Sequence, residues 1–498
     1  MAGAFNPLNF TKPFKWLLLA LCIKLILYFL FILPDNNPKR KFSGPFIKSA
    51  DHIEYISPID NFIDKGVYAV ANSSEPYAGR LPGFVFPYIV FRVVLSEKPA
   101  NICLGMFILI MAIIASYILS LLLYQLTKKR WAFIIGFLFI NFAPYFWHYE
   151  WTLHTSSLGV SCLILFLYYF HSYSNLYLKK HLLFAGFFLC WLVLLRGFCF
   201  VYLPIAIYFL FYFEKCSAKS IKEMAITIFI FLLPLGIFQS TWIARNFISL
   251  HKFVPFQTSF VPGTESKNPE YGYQSITKYS LTKVRELIFT WGGENAWYFP
   301  DSDISWFAWK GGKNNSDFAF DESIFFDGFT KDTLAALRNQ VFFSYRDSLT
   351  ESQHDSIENK IISTAEHLKT KFKENKKGYF YFYTPIKRLR NYLLRNVTQD
   401  WPGPSYKKLN FLQKLFRFFS IGTYFILLVQ ILIFPILYFK NRKKEENSGF
   451  YLLFYALLIA SIFPFMFLIA MSHYTYFIFG FSMLIPIFVY NLKALLKK

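Results

Sequence analysis

Charged residues are scarce in this chain. Of its 498 residues only 16% are Asp, Glu, Lys or Arg, whereas 55% are hydrophobic and 21% are aromatic, with 63 Phe among them. Soluble globular domains carry about 25% charged residues, so this composition excludes an ordinary soluble protein. Several apolar runs reach the roughly 20 residues that a helix needs to cross the hydrocarbon core of a bilayer. The sequence therefore predicts an integral membrane protein.

Other patterns are missing as well. The apolar runs do not alternate with period two, which favours helices as the spanning elements. We find no internal repeat and no low-complexity tract. The first apolar run has no small-residue cleavage site behind it, so we expect it to stay as an anchor. The net charge is +22, but the basic residues are dispersed between apolar runs without a recognition motif, so no nucleic-acid partner is predicted.

Cysteine is rare too, and its positions exclude two kinds of structural site. The six cysteines lie in predicted spans or in a predicted inner loop, at Cys22, Cys103, Cys162, Cys190, Cys199 and Cys216. We therefore expect no disulfides in the long outer segments. Their spacing does not match that of a metal-ligand set.

Ten spans can be drawn from the long apolar runs. They lie near residues 16–33, 100–126, 131–147, 156–173, 181–195, 198–213, 224–243, 414–439, 450–471 and 474–492. If all ten cross, the clusters of Lys and Arg between them fall on one side: 12–15, 128–130, 179–180, 215–222, 440–444 and 497–498. The positive-inside rule makes that side the cytoplasm. We therefore predict a multi-pass protein of the cytoplasmic (inner) membrane with both termini inside the cell.

This topology gives an all-α polytopic architecture with three parts. An N-terminal transmembrane module, residues 1–243, carries a first outer loop at 34–99 that we expect to bear amphipathic helices. A membrane-apposed outer domain covers residues 244–410, and the C-terminal transmembrane helices follow at 411–498. In the outer domain, mixed-charge patterns predict helices within 331–376 and from Phe380 to Asn396.

Polar residues at the outer ends of the spans point to a chemical site. Arg80, Arg196 and Arg245 arrive from three separate parts of the chain. A central Arg costs roughly 2.5–3.5 kcal/mol on membrane-insertion scales, so a Leu would fit position 196 more easily. Arginine binds phosphate well through its planar fork of donors, so we predict an anion site. Asp51 supplies a carboxylate that can take a proton from an attacking hydroxyl. The combination suits displacement at a carbon bonded to a phosphate.

Four stretches resemble one known family. They are residues 51–84 (Asp51, Tyr55, Gly66, Tyr68 and Arg80-Leu81-Pro82-Gly83-Phe84), Phe184 to Gly197, Trp242 to Pro255, and His473-Tyr474-Thr475-Tyr476-Phe477. In this order they resemble the bacterial polyprenyl-phosphate-dependent glycosyltransferases of the GT-C superfamily. The branch concerned is related to protein mannosyltransferases and to the aminoarabinose transferase of lipid A. The resemblance covers roughly residues 14–260 and the C-terminal spans.

The resemblance implies an inverting glycosyltransferase. Its partners would be a polyprenyl-phosphate-linked sugar, the lipid bilayer, and an acceptor that is a glycan, a lipid or a protein. Asp51 matches the family's first-loop acid and would act as general base. Arg80, Arg196, Arg245 and His473 would hold the donor phosphate. Further substrate-contact candidates are Tyr55, Glu150, His154 and Tyr474.

The chain departs from the family pattern at several acidic positions. His52 stands where relatives have a second acid, and Gly79 or Arg80 stands where the aminoarabinose branch has one. Many members of the family have an acid at the start of span four, where this chain has Thr155, Ser156 and Ser157. In the last turn, His473 replaces the usual Arg. No cofactor is therefore predicted with certainty, and a divalent metal ion stays open.

Each of these residues also has a structural interpretation. Asp51 fits a helix N-cap, with Glu54 as the partner in a capping box. Arg80 fits an interfacial anchor, Arg196 a helix C-terminus, and Arg245 a snorkelling stop signal. Two other functions compete with sugar transfer, namely a flippase or other transporter of lipid-linked glycan, and a polymerase or ligase of surface polysaccharide. Transporters usually show two related halves, and we see none here.

Overall fold

The fold is described from a computed structural model. It describes residues 13–34, 41–49, 52–70, 76–216, 220–251, 253–256, 267–268, 273–274, 279–293, 320–344, 349–394, 406–444, 447–467 and 477–496. Three predicted site residues, Asp51, His473 and Tyr474, lie outside these ranges.

The N-terminal part is a bundle of ten helices within the described residues. They are α1 (Pro13–Leu27), α2 (His52–Lys65), α3 (Val85–Arg92), α4 (Glu97–Thr127), α5 (Arg130–Phe142), α6 (Pro144–Glu150), α7 (Thr155–Leu176), α8 (Lys179–Leu195), α9 (Tyr202–Cys216) and α10 (Ile221–Leu250). A π-helical turn, Tyr28–Ile32, extends α1, and 3-10 turns at Pro82–Phe84 and Gly197–Val201 precede α3 and α9. The closest packing joins α7 to α8, α8 to α10, and α4 to both α5 and α7.

Seven more helices follow in the described residues. They are α11 (Tyr279–Thr290), α12 (Lys331–Phe343), α13 (Glu351–Asn375), α14 (Thr384–Leu394), α15 (Phe411–Asn441), α16 (Ser448–Phe467) and α17 (Phe477–Leu496). The predicted helical region 331–376 therefore forms two helices, α12 and α13. Helix α17 packs on both α15 and α16 and completes the membrane bundle.

The predicted all-α membrane architecture is confirmed in its coarse form. Each of the ten predicted spans coincides with a helix or helix pair. Seven helices in the described residues are long and apolar enough to cross a membrane by themselves, or eight if α5 and α6, bent by 58°, form one span. Part of α16, Ser448–Phe463, is a shorter apolar helix. The count of ten crossings and their orientation stay predictions.

Short strands occur beside the helices. Strands β1 (Lys41–Ser43) and β2 (Phe46–Lys48) form an antiparallel pair, and β2 also pairs in parallel with β3 (Thr152–Leu153). A separate antiparallel pair joins β4 (Lys267–Asn268) and β5 (Tyr273–Gln274). Backbone groups without intrahelical partners must be satisfied when buried, and the β2–β3 pairing does this for two chain segments about a hundred residues apart.

The described helices between α10 and α15 have an apolar core of their own. Helices α11, α12 and α13 enclose Val284, Leu287, Leu334, Leu337 and Phe372, all of them fully buried or nearly so. Helix α14 fastens this segment to the membrane bundle by packing against α16. The Tyr392 hydroxyl donates to the Ser461 carbonyl at 3.4 Å, and Arg388 donates to the Met466 carbonyl at 3.4 Å.

The contact between α8 and α10 depends on a glycine. A Cβ atom on Gly186 would lie 2.1 Å from the carbonyl oxygen of Phe231, a backbone atom that cannot swing away. Small residues let helix backbones approach closely inside membranes. Gly236, on α10, provides a contrast, because a Cβ atom there would meet nothing within 4 Å.

We expect Gly186→Ala to destabilise the protein by about 1–3 kcal/mol, because the added methyl group would force the two helices apart. Gly236→Ala should stabilise α10 by up to about 1 kcal/mol, since Ala has the better helix propensity. Thermal unfolding of both variants in detergent measures the difference. Equal melting temperatures would contradict the proposed close contact.

Candidate functional site

Six of the nine predicted site residues belong to the described part of the chain. They are Tyr55, Arg80, Glu150, His154, Arg196 and Arg245. The other three, Asp51, His473 and Tyr474, lie outside it, so their predicted roles are not tested.

The first outer loop is tied to the turn between α6 and α7 by strand pairing. Ile47 lies opposite Thr152, and the Ile47 N–H donates to the Trp151 carbonyl at 2.9 Å. The Ser49 hydroxyl donates to the Leu153 carbonyl at 3.0 Å. Phe46 is fully buried and stacks on Trp151. These contacts fix the chain just before α2 against the turn that carries Glu150 and His154.

The segment 80–84 packs against the last turn of α8. A Cβ atom on Gly83 would lie 2.4 Å from the carbonyl carbon of Leu194, so no other residue fits there without a backbone shift. The Trp191 indole N–H donates to the Gly83 carbonyl at 2.8 Å. On the same surface, a Cβ atom on Gly197 would lie 3.2 Å from Leu81. Two stretches that carry the family resemblance are therefore in direct contact.

Arg80 is held by an acidic residue of α2. Its Nε and Nη2 atoms both donate to Glu54 Oε2, each at 2.7 Å. The guanidinium carbon also lies 5.1 Å from the centre of the Tyr55 ring, within cation–π range. Burial raises the pKa of nearby Tyr77, and the Glu54 carboxylate raises it further, so that hydroxyl stays protonated. Glu54 thus pairs with Arg80 in addition to any role in capping α2.

Arg196 ends α8 in a buried polar contact. Its side chain is only 6% exposed, and Nη2 lies 3.1 Å from His154 Nε2. The same Nη2 donates to the Ser156 hydroxyl at 3.1 Å. His154 in turn caps α7, because its Nδ1 accepts the Ser156 backbone N–H at 3.3 Å. The structure therefore brings together two predicted site residues, Arg196 and His154, and adds Ser156.

Arg245 binds both ends of a loop in the first outer loop region, at Tyr68 and Tyr77. Its Nη1 donates to the Tyr77 carbonyl at 2.7 Å and to the Asn246 side chain at 2.8 Å, while Nη2 donates to the Tyr68 carbonyl at 3.3 Å. The guanidinium carbon lies 4.7 Å from the Tyr68 ring centre and 5.4 Å from that of Trp242. The Tyr77 N–H closes the loop on the Tyr68 carbonyl at 2.9 Å. Arg245 therefore has a clear structural role in shaping this loop.

Glu150 forms an ion pair that was not predicted. Lys24 Nζ, on α1, lies 2.5 Å from Glu150 Oε2, and the two side chains are 0% and 4% exposed. A void of about 10 Å³, large enough for roughly one water molecule, lies beside Glu150 and is also lined by Ser157 and Ser161. The sequence did contain a signal for this pair, since Lys24 is an isolated charge within an apolar span. Ionisable residues within spans are costly and are usually paired.

His52 points into the protein and is 4% exposed. Within the described residues neither ring nitrogen has a hydrogen-bond partner. Burial lowers the pKa of His52 to about 3, with a smaller contribution from the charge of Lys48. His52 is therefore neutral at physiological pH and shielded from solvent.

The three arginines thus have three different sets of partners, and their joint action on one phosphate stays a prediction. Within the described ranges, no group of three His, Cys, Asp or Glu residues is placed to hold a metal ion. The sequence did not reveal Lys24, Ser156 and Tyr77 as members of the site, and it suggested for Glu54 only a capping box with Asp51. These contacts join residues that are far apart in the sequence and that belong to no periodic pattern or motif, so a single sequence does not reveal them.

Comparison with protein-family models, with curated proteins and with solved structures finds no significant match to this chain. The resemblance to the family therefore depends on the four sequence stretches alone.

We expect Lys24→Met to lower the free energy of unfolding by about 3–5 kcal/mol, because it leaves the Glu150 carboxylate buried without its partner. The double variant Lys24→Met/Glu150→Gln should recover much of this loss, since neither charge then remains. Lys15→Met removes an exposed Lys from the same helix and should change stability by less than about 0.5 kcal/mol. Unfolding in detergent compares the three variants. A loss in Lys24→Met no larger than that in Lys15→Met would contradict the buried pair.

His52 should make the stability of the folded protein pH-dependent. Its pKa is about 3 in the fold against an ordinary 6.5, so below pH 6.5 the unfolded chain binds a proton that the folded chain does not. Stability should therefore fall by about 2 kcal/mol between pH 7 and pH 5 through this residue alone. His52→Gln should remove that part of the slope, whereas His367→Gln, on the exposed face of α13, should keep it. Identical slopes in all three proteins would rule out the effect.

Proposed function

We propose that the protein is an integral membrane glycosyltransferase of the GT-C kind. It transfers a sugar, with inversion, from a polyprenyl-phosphate donor to an acceptor at the outer face of the cytoplasmic membrane. The acceptor is a glycolipid, a glycan or a protein.

One observation carries the proposal. Segment 80–84 packs on the end of α8, and Arg245 at the end of α10 binds the loop just before that segment. Three of the four stretches that resemble the family are thus neighbours in space, although more than 150 residues separate the first from the last. Arg is more costly than an aliphatic side chain near a bilayer, and the presence of three in this region supports a role in binding an anion in addition to their contacts within the protein.

The proposed reaction is a single displacement. An acceptor hydroxyl attacks the anomeric carbon of the sugar and gives its proton to the Asp51 carboxylate. The bond between that carbon and the phosphate oxygen breaks, and the polyprenyl phosphate leaves with the electron pair. Positively charged donors stabilise the charge that grows on the leaving oxygen, and stabilisation of this kind supplies much of the rate acceleration in many enzymes. Arg80, Arg196 and His473 are assigned to this task.

The geometry refines the other assignments. Arg245 contacts backbone carbonyls of the loop, so we assign it mainly to shaping the donor site. Its positive charge makes a secondary contribution to binding the donor phosphate. Glu150 is paired with Lys24, and we assign it to holding the turn before His154 in place. Tyr55, under Arg80, and Tyr474 are proposed to contact the acceptor or the sugar.

The test uses the full-length protein reconstituted in liposomes with radiolabelled polyprenyl-phosphate-linked sugars and a membrane extract as acceptor. Asp51→Asn should lower the transfer rate by about 10²–10⁴-fold, the usual contribution of a general base. Asp64→Asn changes an acid of α2 that pairs with Arg92, on an exposed part of the helix, and should keep the rate within about twofold.

Two results would overturn the proposal. The first is transfer by Asp51→Asn at the wild-type rate. The second is movement of intact donor across the liposome bilayer without any transfer of sugar, which would favour a transporter of lipid-linked glycan.

A further inference from the structure

A second polar cavity lies far from the candidate site. It has a volume of about 360 Å³ and opens between α9, α15 and α16. It is lined by Tyr208, Phe209, Tyr212, Tyr438, Arg442, Lys443, Ser448 and Leu452. Cavities of roughly 300–1,000 Å³ are the usual size for small-molecule sites.

The cavity lies at the opposite end of the bundle. Helix α9 starts directly after the turn at Gly197–Val201, beside Arg196, and Tyr212 lies ten residues into it, about 15 Å along the axis. Helix α16 begins at Ser448, beside the cavity. Ser461, which accepts a hydrogen bond from Tyr392 of the outer domain, lies near the other end of the same helix. In the ten-span topology this end faces the cytoplasm.

The polar groups of the cavity have little to bind within the protein. In the described part of the chain, the Arg442 guanidinium lies 5.4 Å from the centre of the Phe439 ring, and neither the Arg442 side chain nor the Lys443 side chain forms an ion pair or a hydrogen bond. The same holds for hydrogen bonds of the Tyr208, Tyr212 and Tyr438 hydroxyls, within the ranges that the structure covers. Two cations and three hydroxyl donors therefore line one space.

The walls continue into a surface that suits acyl chains. Leu432, Ile436 and Phe439 lie on one face of α15 and are 75%, 71% and 67% exposed. This face leads along the helix to Arg442, one turn further on. Gly449 gives the Tyr212 ring its room, because a Cβ atom there would lie 3.1 Å from that ring.

We propose that this cavity binds the phosphate head group of an anionic membrane lipid, with the acyl chains along α15. Guanidinium, ammonium and hydroxyl donors together suit phosphate oxygens, and basic pockets between spanning helices are a known form of lipid head-group site. The adjoining apolar face favours a lipid over a free anion. Two positive charges disfavour a zwitterionic head group, whose own ammonium would lie near them. The site is independent of the proposed transfer reaction.

The test is native mass spectrometry of the delipidated full-length protein, titrated with dioleoyl-phosphatidylglycerol, with dioleoyl-phosphatidylcholine and with inorganic phosphate. We expect one saturable phosphatidylglycerol per chain. Arg442→Gln/Lys443→Gln should weaken it at least tenfold, and Tyr212→Phe, which removes one neutral hydrogen-bond donor, about fivefold. Lys129→Gln/Arg130→Gln is the matched control. It removes two exposed charges from the turn between α4 and α5, which the topology puts on the same side, and it should bind as the wild type does.

Three outcomes would overturn the proposal. They are equal phosphatidylglycerol affinity in the two double variants, equal affinity of the wild type for the zwitterionic lipid, and full competition by millimolar inorganic phosphate. Melting curves without lipid establish that each variant is folded, so a loss of binding can be assigned to the cavity.

Discussion

The close contact between Gly83 and the last turn of α8 holds the rest of the site in place. Backbone lies against backbone there, and a Cβ atom on Gly83 would lie 2.4 Å from the Leu194 carbonyl carbon. This approach sets where the first outer loop meets the bundle. Arg80, three residues earlier in the chain, is thereby placed within reach of Glu54, and Leu81 is placed against Gly197. A displaced loop would lose all of these contacts at once.

Buried and half-buried charges in this protein are held by partners from distant segments. Lys24 and Glu150 pair across 126 residues, Arg196 meets His154 across 42, and Arg245 binds carbonyls more than 160 residues earlier in the chain. An uncompensated charge in an apolar medium costs several kcal/mol. Separating the two segments would leave such a charge unpaired, so each of these contacts also stabilises the packing of the segments that it joins. The cavity at the other end of the bundle differs, because its cations face a space large enough for a ligand.

The helices could be predicted well from the sequence, and the site only in part. Apolar runs of about 20 residues have few alternatives in a bilayer, so all ten predicted spans coincide with helices. The position of segments 80–84, 194–197 and 242–246 at one end of the bundle was expected from the ten-span topology. The strand pairing of Ile47 with Thr152 was not, because two- and three-residue strands leave no periodic signal. The pairing of Glu54 with Arg80 was not expected either, since a capping box is a local pattern whereas this contact joins residues 26 positions apart.

Hydropathy and charge act locally along the chain, and they were enough to predict a helical membrane protein with polar residues collected at the ends of its spans. Which charges meet depends instead on packing in three dimensions. Lys24 could have faced lipid, a cavity or any acid, and its pairing with Glu150 follows from how α1 packs beside the α6–α7 turn. The same is true of Arg442 and Lys443, which are ordinary basic residues in the sequence and become the lining of a cavity because α9, α15 and α16 end together. Such partners are chosen by packing over long sequence separations, and one sequence does not encode them in any local pattern.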